Sequence, residues 1–369
     1  MKYDDIKNIS LDIFLKYIID ISKQRNIYIY GAGMYGRIFG QFFDDNEIEW
    51  IGFIDENKQL QGTIVCGKKV FDLKQLNDIE HTAVVISISA LPYKAILPVI
   101  IEKLLEYGIN QENIIRASEN LSLAEEIAIS VKKPEIYLSQ LDSLKNVLNS
   151  KRAFLIGNGP SLCLEDINKL KSEVCFGCNR IIELYKSTSW RLTGYFFADP
   201  IFINSTQKEY EDISTICNEN TYVFTSILSD VYEKWRGKFK NLFFVRTKRS
   251  YDNHFSEDIK EGLSTGGTSL YDLLQIMVFM GIKEIYLLGV DFSFHKEAFK
   301  NGEVKVNENI KNHTNEIGQD VEGIYYVDLI LDGWKFAKKY ADSHGIKIYN
   351  ATRGGKLEVF ERVNFDELF

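Results

Sequence analysis

The 369-residue chain has few cysteines, no long apolar run and no excess of positive charge, and each lack removes a class of protein. Five cysteines scattered over this length are too few for a disulfide framework, which fits a reducing compartment. Cys175 and Cys178 form one CxxC, but a structural zinc site needs a second pair at suitable spacing. None exists, so the two read as small residues at a strand end. No apolar run reaches the ~20 residues of a membrane span, and Met1-Lys2-Tyr3-Asp4-Asp5 lacks the basic-then-apolar layout of a signal peptide. The chain therefore reads as cytoplasmic, with peripheral membrane association left open. A formal net charge of −8 argues against a protein whose main work is gripping nucleic acid, because that work needs a basic surface.

What is present is ordinary for a globular protein: 45% hydrophobic and 26% charged residues, neither suggesting extended disorder. Aromatic residues, led by Tyr and Phe, read mostly as core and strand filler. Single cores stop growing near ~250 residues, so this length predicts two domains. From Asn26 to Ala117 short β-rich runs at residues 27–30, 50–54 and 83–88 alternate with helical ones, the pattern of a parallel sheet covered by helices. Residues 118–150 then place leucines and Ile127 at helical spacing around Pro134, a helical connector. A second α/β series begins at Ala153-Phe154-Leu155-Ile156 and continues through runs near residues 174, 195, 222, 242, 284 and 346. The predicted fold is α/β, two Rossmann-like doubly wound domains (1–117 and 151–369) joined by that connector. A polar stretch, 291–323, interrupts the second series as a candidate lid.

Two glycine loops carry chemistry. The first, Gly31-Ala32-Gly33-Met34-Tyr35-Gly36, follows a strand and opens a helix, and Asp55 closes the next strand. Such a turn lets main-chain N–H groups approach a phosphate while the carboxylate accepts from ribose hydroxyls. The segment is short for both halves of a dinucleotide fold, which disfavours a nicotinamide enzyme. It resembles the small Rossmann-like domain of sugar acetyltransferases and other polysaccharide biosynthesis proteins. That resemblance implies a second nucleotide-binding set, Gly31, Gly33, Gly36 and Asp55, with a scaffold or oligomerisation role as the alternative.

The second loop, Gly157-Asn158-Gly159-Pro160-Ser161-Leu162, also follows a strand; Pro160 removes a donor, Ser161 supplies a hydroxyl, and the flanking glycines suit close approach to a phosphate or ribose. Later strands end in Asn179-Arg180 and Asp199-Pro200. Leu263-Ser264-Thr265-Gly266-Gly267-Thr268-Ser269 leads into an apolar helix as a second anion nest, and Gly289-Val290-Asp291-Phe292 ends a buried strand.

Together these motifs, with the closing Tyr349-Asn350-Ala351-Thr352-Arg353-Gly354-Gly355, resemble a family of domains of unknown function. Its members are related to archaeal 6-hydroxymethylpterin diphosphokinase, to flagellin-modifying glycosyltransferases of the motility accessory factor type and, distantly, to bacterial CMP-sialic acid sialyltransferases. The resemblance implies a cytoplasmic transferase of bacterial surface-glycan biosynthesis. Its donor would be a nucleotide-activated sugar, CMP-linked by the sialyltransferase likeness, and its acceptor a glycan or lipid-linked group. It also implies a nucleotide site of Gly157, Asn158, Gly159, Pro160, Ser161, Asn179, Asp199, Gly266, Gly267, Thr268, Ser269 and Asp291.

The chain departs from the sialyltransferases at their two phosphate-holding tyrosines, which fall at Ser293 and Phe299, and at their catalytic histidine, which falls near Tyr326 to Asp328. An inverting transfer needs a base and a group at the leaving phosphate. His313 is the first candidate base and His295 the second, with Arg353 the phosphate partner. No Asp-x-Asp triplet is present to hold a divalent ion against a diphosphate, so no metal or other cofactor is expected for this reading. The alternatives are an ATP-dependent diphosphokinase, which would require magnesium, and a non-catalytic nucleotide-sugar-binding module.

Overall fold

Strands buried on both faces read as short continuous apolar runs, and the computed structural model turns these runs into two parallel sheets. It describes residues 9–88, 96–120, 123–132, 135–149, 151–197, 220–227, 241–248, 254–264, 266–314 and 323–369. The chain divides into two compact units, Met1–Pro134 and Glu135–Phe369.

In the first unit, the strands are β1 (Asn26–Tyr30), β2 (Gly52–Ile54), β3 (Ile64–Val65), β4 (Lys68–Phe71), β5 (Thr82–Ile86) and β6 (Ile114–Ile115). They lie in the order β3-β4-β2-β1-β5-β6, all parallel except the β3–β4 pair. Helices α1 (Leu11–Ser22), α2 (Met34–Asp45), α3 (Ile96–Glu106) and α4 (Leu123–Lys132) complete it. Aromatic residues fill part of its core. Phe39, Phe43, Trp50 and Phe53 form a chain of edge-to-face rings with centroids 5.0–6.5 Å apart. The short strands β3, β4 and β6 were not legible in the sequence, since two to four residues carry too little periodicity.

Gly36 lets α2 start against the end of β1: a Cβ there would lie 1.8 Å from the Gly31 carbonyl oxygen. Gly33, the N-cap of α2, has nothing within 4 Å of a built Cβ.

The second unit contains α5 (Glu135–Gln140), β7 (Arg152–Ile156), α6 (Leu164–Lys169), β8 (Val174–Cys178), β9 (Gly194–Phe197), β10 (Tyr222–Ser226) and β11 (Leu242–Val245). It continues with β12 (Thr247–Lys248), β13 (Leu263–Ser264), α7 (Ser269–Phe279) and β14 (Glu284–Leu288). After these come β15 (Lys296–Ala298), β16 (Val304–Val306), β17 (Tyr325–Tyr326), α8 (Val327–His344), β18 (Lys347–Asn350) and β19 (Glu361–Arg362). The eight-stranded sheet runs β11-β10-β9-β8-β7-β14-β18-β19, parallel throughout. The order reverses between β7 and β14, so loops leaving the carboxyl ends of those two strands border the crevice where such sheets bind ligands. The polar stretch that interrupts the series is not one bare loop: β15 and β16 form a hairpin, and β17 joins β15 in parallel.

Helix α7 is buried almost all round, and its polar Gln275 is fully buried. Its amide accepts from the N–H groups of Ser256 and Ser264 and donates to the carbonyls of Ser264 and Tyr271, which satisfies all four sites.

Gly36→Ala should cost the first unit about 2–4 kcal/mol, because backbone must move. Gly33→Ala should cost at most about 1 kcal/mol, the difference between glycine and alanine at an N-cap. Calorimetric melting of the two variants checks this; equal losses would show that the loop does not depend on the Gly36 contact.

Candidate functional site

The glycine loop of the first unit is closed by its own chain. Gly31 adopts φ +99°, and its N–H donates to the Ile54 carbonyl at 2.8 Å. Asp55 accepts from the Ala32 N–H on one oxygen and from the Asn57 N–H on the other, both at 2.8 Å. The carboxylate expected to face a ribose thus holds the loop itself.

In the second unit, β7 and β14 deliver two glycine-bearing ends side by side. The Gly157 N–H donates to the Leu288 carbonyl at 2.8 Å and the Gly159 N–H to the Gly289 carbonyl at 2.9 Å. A Cβ on Gly157 would meet the Gly289 oxygen at 2.3 Å, and one on Gly159 would sit 2.0 Å from Asp291 Oδ2. Close approach of two backbones, not turn conformation, is what these glycines serve. Asp291, 9% exposed, accepts from the Ser161 N–H at 3.2 Å and from the Ser161 hydroxyl at 2.7 Å. Burial pushes the Asp291 carboxyl above its ordinary range, and the two Ser161 bonds oppose the shift.

Around this clamp lies a cavity of about 260 Å³. Its glycine-loop wall carries Asn158, Gly159, Asn179 and Asp291; facing segments supply Gly267, Thr268 and Ser269. Asn158 donates through Nδ2 to the Cys178 carbonyl at 3.2 Å, while its Oδ1 is buried without a partner. The Asn179 Oδ1 is likewise buried and unpartnered, on a residue at φ +52°. Phe292, the residue after Asp291, sits at φ +51°, a conformation costly for a side chain of this size. Thr268 caps α7, its hydroxyl accepting from the Leu270 N–H, so the first turn of that helix borders the cavity. Phe294 stacks on Tyr325 with centroids 4.3 Å apart, and buried Trp334 completes the apolar side.

The segment expected as a lid is anchored to the glycine loop: Thr314 donates its N–H to the Asn158 carbonyl at 2.9 Å and its hydroxyl to the Leu162 carbonyl at 2.8 Å. This brings His313 to the cavity wall. His295 is not on that wall; its Nδ1 lies 3.1 Å from the Asn307 carbonyl, and its N–H donates to Asn312 Oδ1. Gly157, Pro160, Ser161 and Gly266 do not line the cavity. Gly266 is packed on the Tyr271 ring, which a Cβ would meet at 2.5 Å. Asp199 and Thr265 lie outside the described residues.

Arg353 is corrected from phosphate partner to structural cation. Its guanidinium grips Asp166 in a bidentate pair, 2.7 and 2.9 Å, and reaches Asp366 at 2.8 Å, away from the cavity lining. Asp166 is buried, which demands a partner of this kind. The Cys175 thiol is pushed up to about 12 by burial, so it stays protonated. Among the described residues no three His, Cys, Asp or Glu side chains gather as a metal site, and no helix is long and apolar enough to cross a membrane. Phe294 and Asn312 were missed in the sequence. The alternating Asp291-Phe292-Ser293-Phe294 after a buried strand was the signal for Phe294, and nothing local marks Asn312.

Residues 23–115 match the family described as C2185-like, N-terminal. No curated protein matches the sequence. Among solved structures, the MAf glycosyltransferase from Magnetospirillum magneticum AMB-1 is similar at 12% identity and a TM-score of 0.38 over 98% of this chain; the match spans 63% of that protein's length. The sialyltransferase CstII from Campylobacter jejuni, in complex with cytidine-5′-monophosphate, is similar at 15% identity and a TM-score of 0.32, over 58% of this chain and 85% of that one. The methyltransferase FkbM from Methylobacillus flagellatus KT shows 11% identity and a TM-score of 0.24, over 94% of this chain and 84% of that one. Values this low leave the reaction to be read from the cavity itself.

Arg353→Ala should lower the melting temperature, leaving Asp166 uncompensated at a cost of roughly 1–3 kcal/mol; the 41% exposure of the guanidinium keeps this below the range for a fully buried pair. Arg353 first, then Lys169, holds the Asp366 carboxyl well below the usual carboxylate range. Its contribution is present above the unfolded pKa and lost as pH falls through the depressed folded value. The gap in melting temperature between the native chain and Arg353→Ala should therefore shrink between pH 7 and pH 2; a constant gap would remove the ion-pair explanation.

Proposed function

We propose that this chain is a glycosyltransferase of surface-glycan assembly that holds a nucleotide-activated, CMP-linked sugar in the cavity at the β7–β14 switch point. One observation carries the reading. Asn158, Gly159, Asn179, Thr268, Ser269 and Asp291, drawn from four separate segments, line a single cavity at the carboxyl ends of a doubly wound sheet. The same residues carry the motif resemblance to nucleotide-dependent transferases. The cavity couples a polar wall, a helix N-terminus and aromatic rings, a combination suited to a ligand with a nucleoside at one end and a phosphate in the middle.

In the transfer, an acceptor hydroxyl attacks the anomeric carbon and the bond from that carbon to the phosphate oxygen breaks. The phosphate leaves with the electron pair, and the acceptor proton passes to His313, the histidine on the cavity wall. The acceptor is a glycan or lipid-linked hydroxyl.

A thermal-shift panel of CMP, CDP, UDP, GDP and ATP tests the reading, because a ligand at 100 times its Kd stabilises the folded state by about 2.7 kcal/mol. CMP should stabilise the chain without added metal. Stabilisation by ATP with magnesium alone would favour a diphosphokinase instead. Once transfer is established, His313→Ala should lower kcat by roughly 10²–10⁴-fold while CMP stabilisation persists. An unchanged kcat removes His313 as the base.

A further inference from the structure

A histidine works as a base when its ring is held within about 0.5 Å of the productive position, and one on a loop depends on its neighbours for that. His313 follows the β15–β16 hairpin in a stretch without regular structure, and is itself half-buried. The residues on either side of it are buried, and both are fastened. On the amino side, the Asn312 Oδ1 accepts from the His295 N–H at 2.8 Å. Asn307 braces the same place, its N–H donating to the His295 carbonyl at 2.7 Å and its Nδ2 to the Phe294 carbonyl at 2.9 Å.

The two anchors fix different things. The Asn312 contact closes the stretch on its own hairpin, which leaves the distance from His313 to the sheet still to be set. Thr314 sets it. This residue, 4% exposed, donates its N–H to the Asn158 carbonyl at 2.9 Å and its hydroxyl to the Leu162 carbonyl at 2.8 Å, the latter 152 positions away in sequence. Both acceptors belong to the loop that leaves β7, a strand bordering the cavity. One bond would leave a swivel; two bonds to separate carbonyls fix orientation as well as place. A β-branched threonine holds its hydroxyl in few rotamers, and Leu162 is buried, so loss of that hydroxyl would leave a buried carbonyl unpaired.

Resting on the transfer reaction and the base proposed above, we infer that Thr314 is the positioning residue of the site: its hydroxyl fastens the segment that carries His313 to the glycine loop and so sets the rate of proton removal from the acceptor. The base is preorganised by a tertiary hydrogen bond, in place of the helix or strand that would otherwise hold it. Thr314 touches neither donor nor acceptor and acts through His313.

Thr314→Val keeps the branched shape and the main-chain bond but removes the hydroxyl, whereas Thr314→Ser keeps the hydroxyl. Amide hydrogen exchange of the full chain reads the fastening without any assay of activity. Thr314→Val should speed exchange over residues 307–314 by about three- to tenfold, with β7 and β14 unchanged and Thr314→Ser near native. Equal exchange in the native chain and Thr314→Val overturns the fastening. In the transfer assay, Thr314→Val should lower kcat by roughly ten- to a hundredfold with the donor KM unchanged within about threefold, and Thr314→Ser should restore kcat to within about threefold of native. In a His313→Ala background Thr314→Val should lower kcat no further, because a positioning residue acts through the group it positions. Losses that multiply across the two sites, a native kcat in Thr314→Val, or a change confined to KM overturns the inference while sparing the functional reading. Thr314→Ala carries the same expectations if the valine variant fails to fold. A native chain that neither binds CMP nor transfers overturns the functional reading itself, and the exchange measurement then still decides whether Thr314 fastens the segment.

Discussion

The second unit depends on one close approach, that of the carboxyl ends of β7 and β14. Two main chains come into contact there because Gly157 and Gly159 have no Cβ, and the space so vacated is taken by the Asp291 carboxylate. Ser161 then holds that carboxylate with two donors across 130 positions of sequence. A methyl group on Gly159 would fall within 2.0 Å of the carboxylate oxygen, so loop, carboxylate and strand order are a single arrangement. The cavity exists because the arrangement holds Asn158 on one side and starts the strained Phe292 on the other.

That arrangement leaves polarity unresolved where a compact protein ordinarily resolves it. Gln275, deep in the same unit, finds partners for every donor and acceptor. Asn158 and Asn179 do not, and two non-glycine residues with positive φ line the same cavity. Buried acceptors without donors and backbone strain both reduce stability, and their coincidence at a switch point is what the proposed site rests on. In the glycine loop of the first unit, the Gly31 and Ala32 N–H groups donate to Ile54 and Asp55.

How far this was legible in the sequence varies with the range of the interaction. The long buried strands, β1, β5, β7 to β11 and β14, were readable because continuous apolar runs between turn residues have few other uses. The hairpin β15–β16 and the short β17 were not, since their residues look like a polar loop and pair only through the chain around them. Of the site, Asn158, Gly159, Asn179, Thr268, Ser269, Asp291 and His313 stood out as polar or glycine residues near strand ends, and these the fold gathers. Arg353 stood out for the same reason and was misplaced, because nothing local says that the buried Asp166 needs it.

The sequence by itself determined the fold class and where the carboxyl-end loops lie, because both follow from local periodicity and from glycine, whose freedom is a property of one residue. Only the tertiary structure decided which way each polar group points. Ser161 looks like a phosphate ligand along the chain and becomes the partner of Asp291 in space; Asp55 looks like a ribose ligand and becomes a latch for its own loop. A hydrogen bond is a relation between two groups, and when the second group is far away in sequence its claim on the first cannot be read from the first alone.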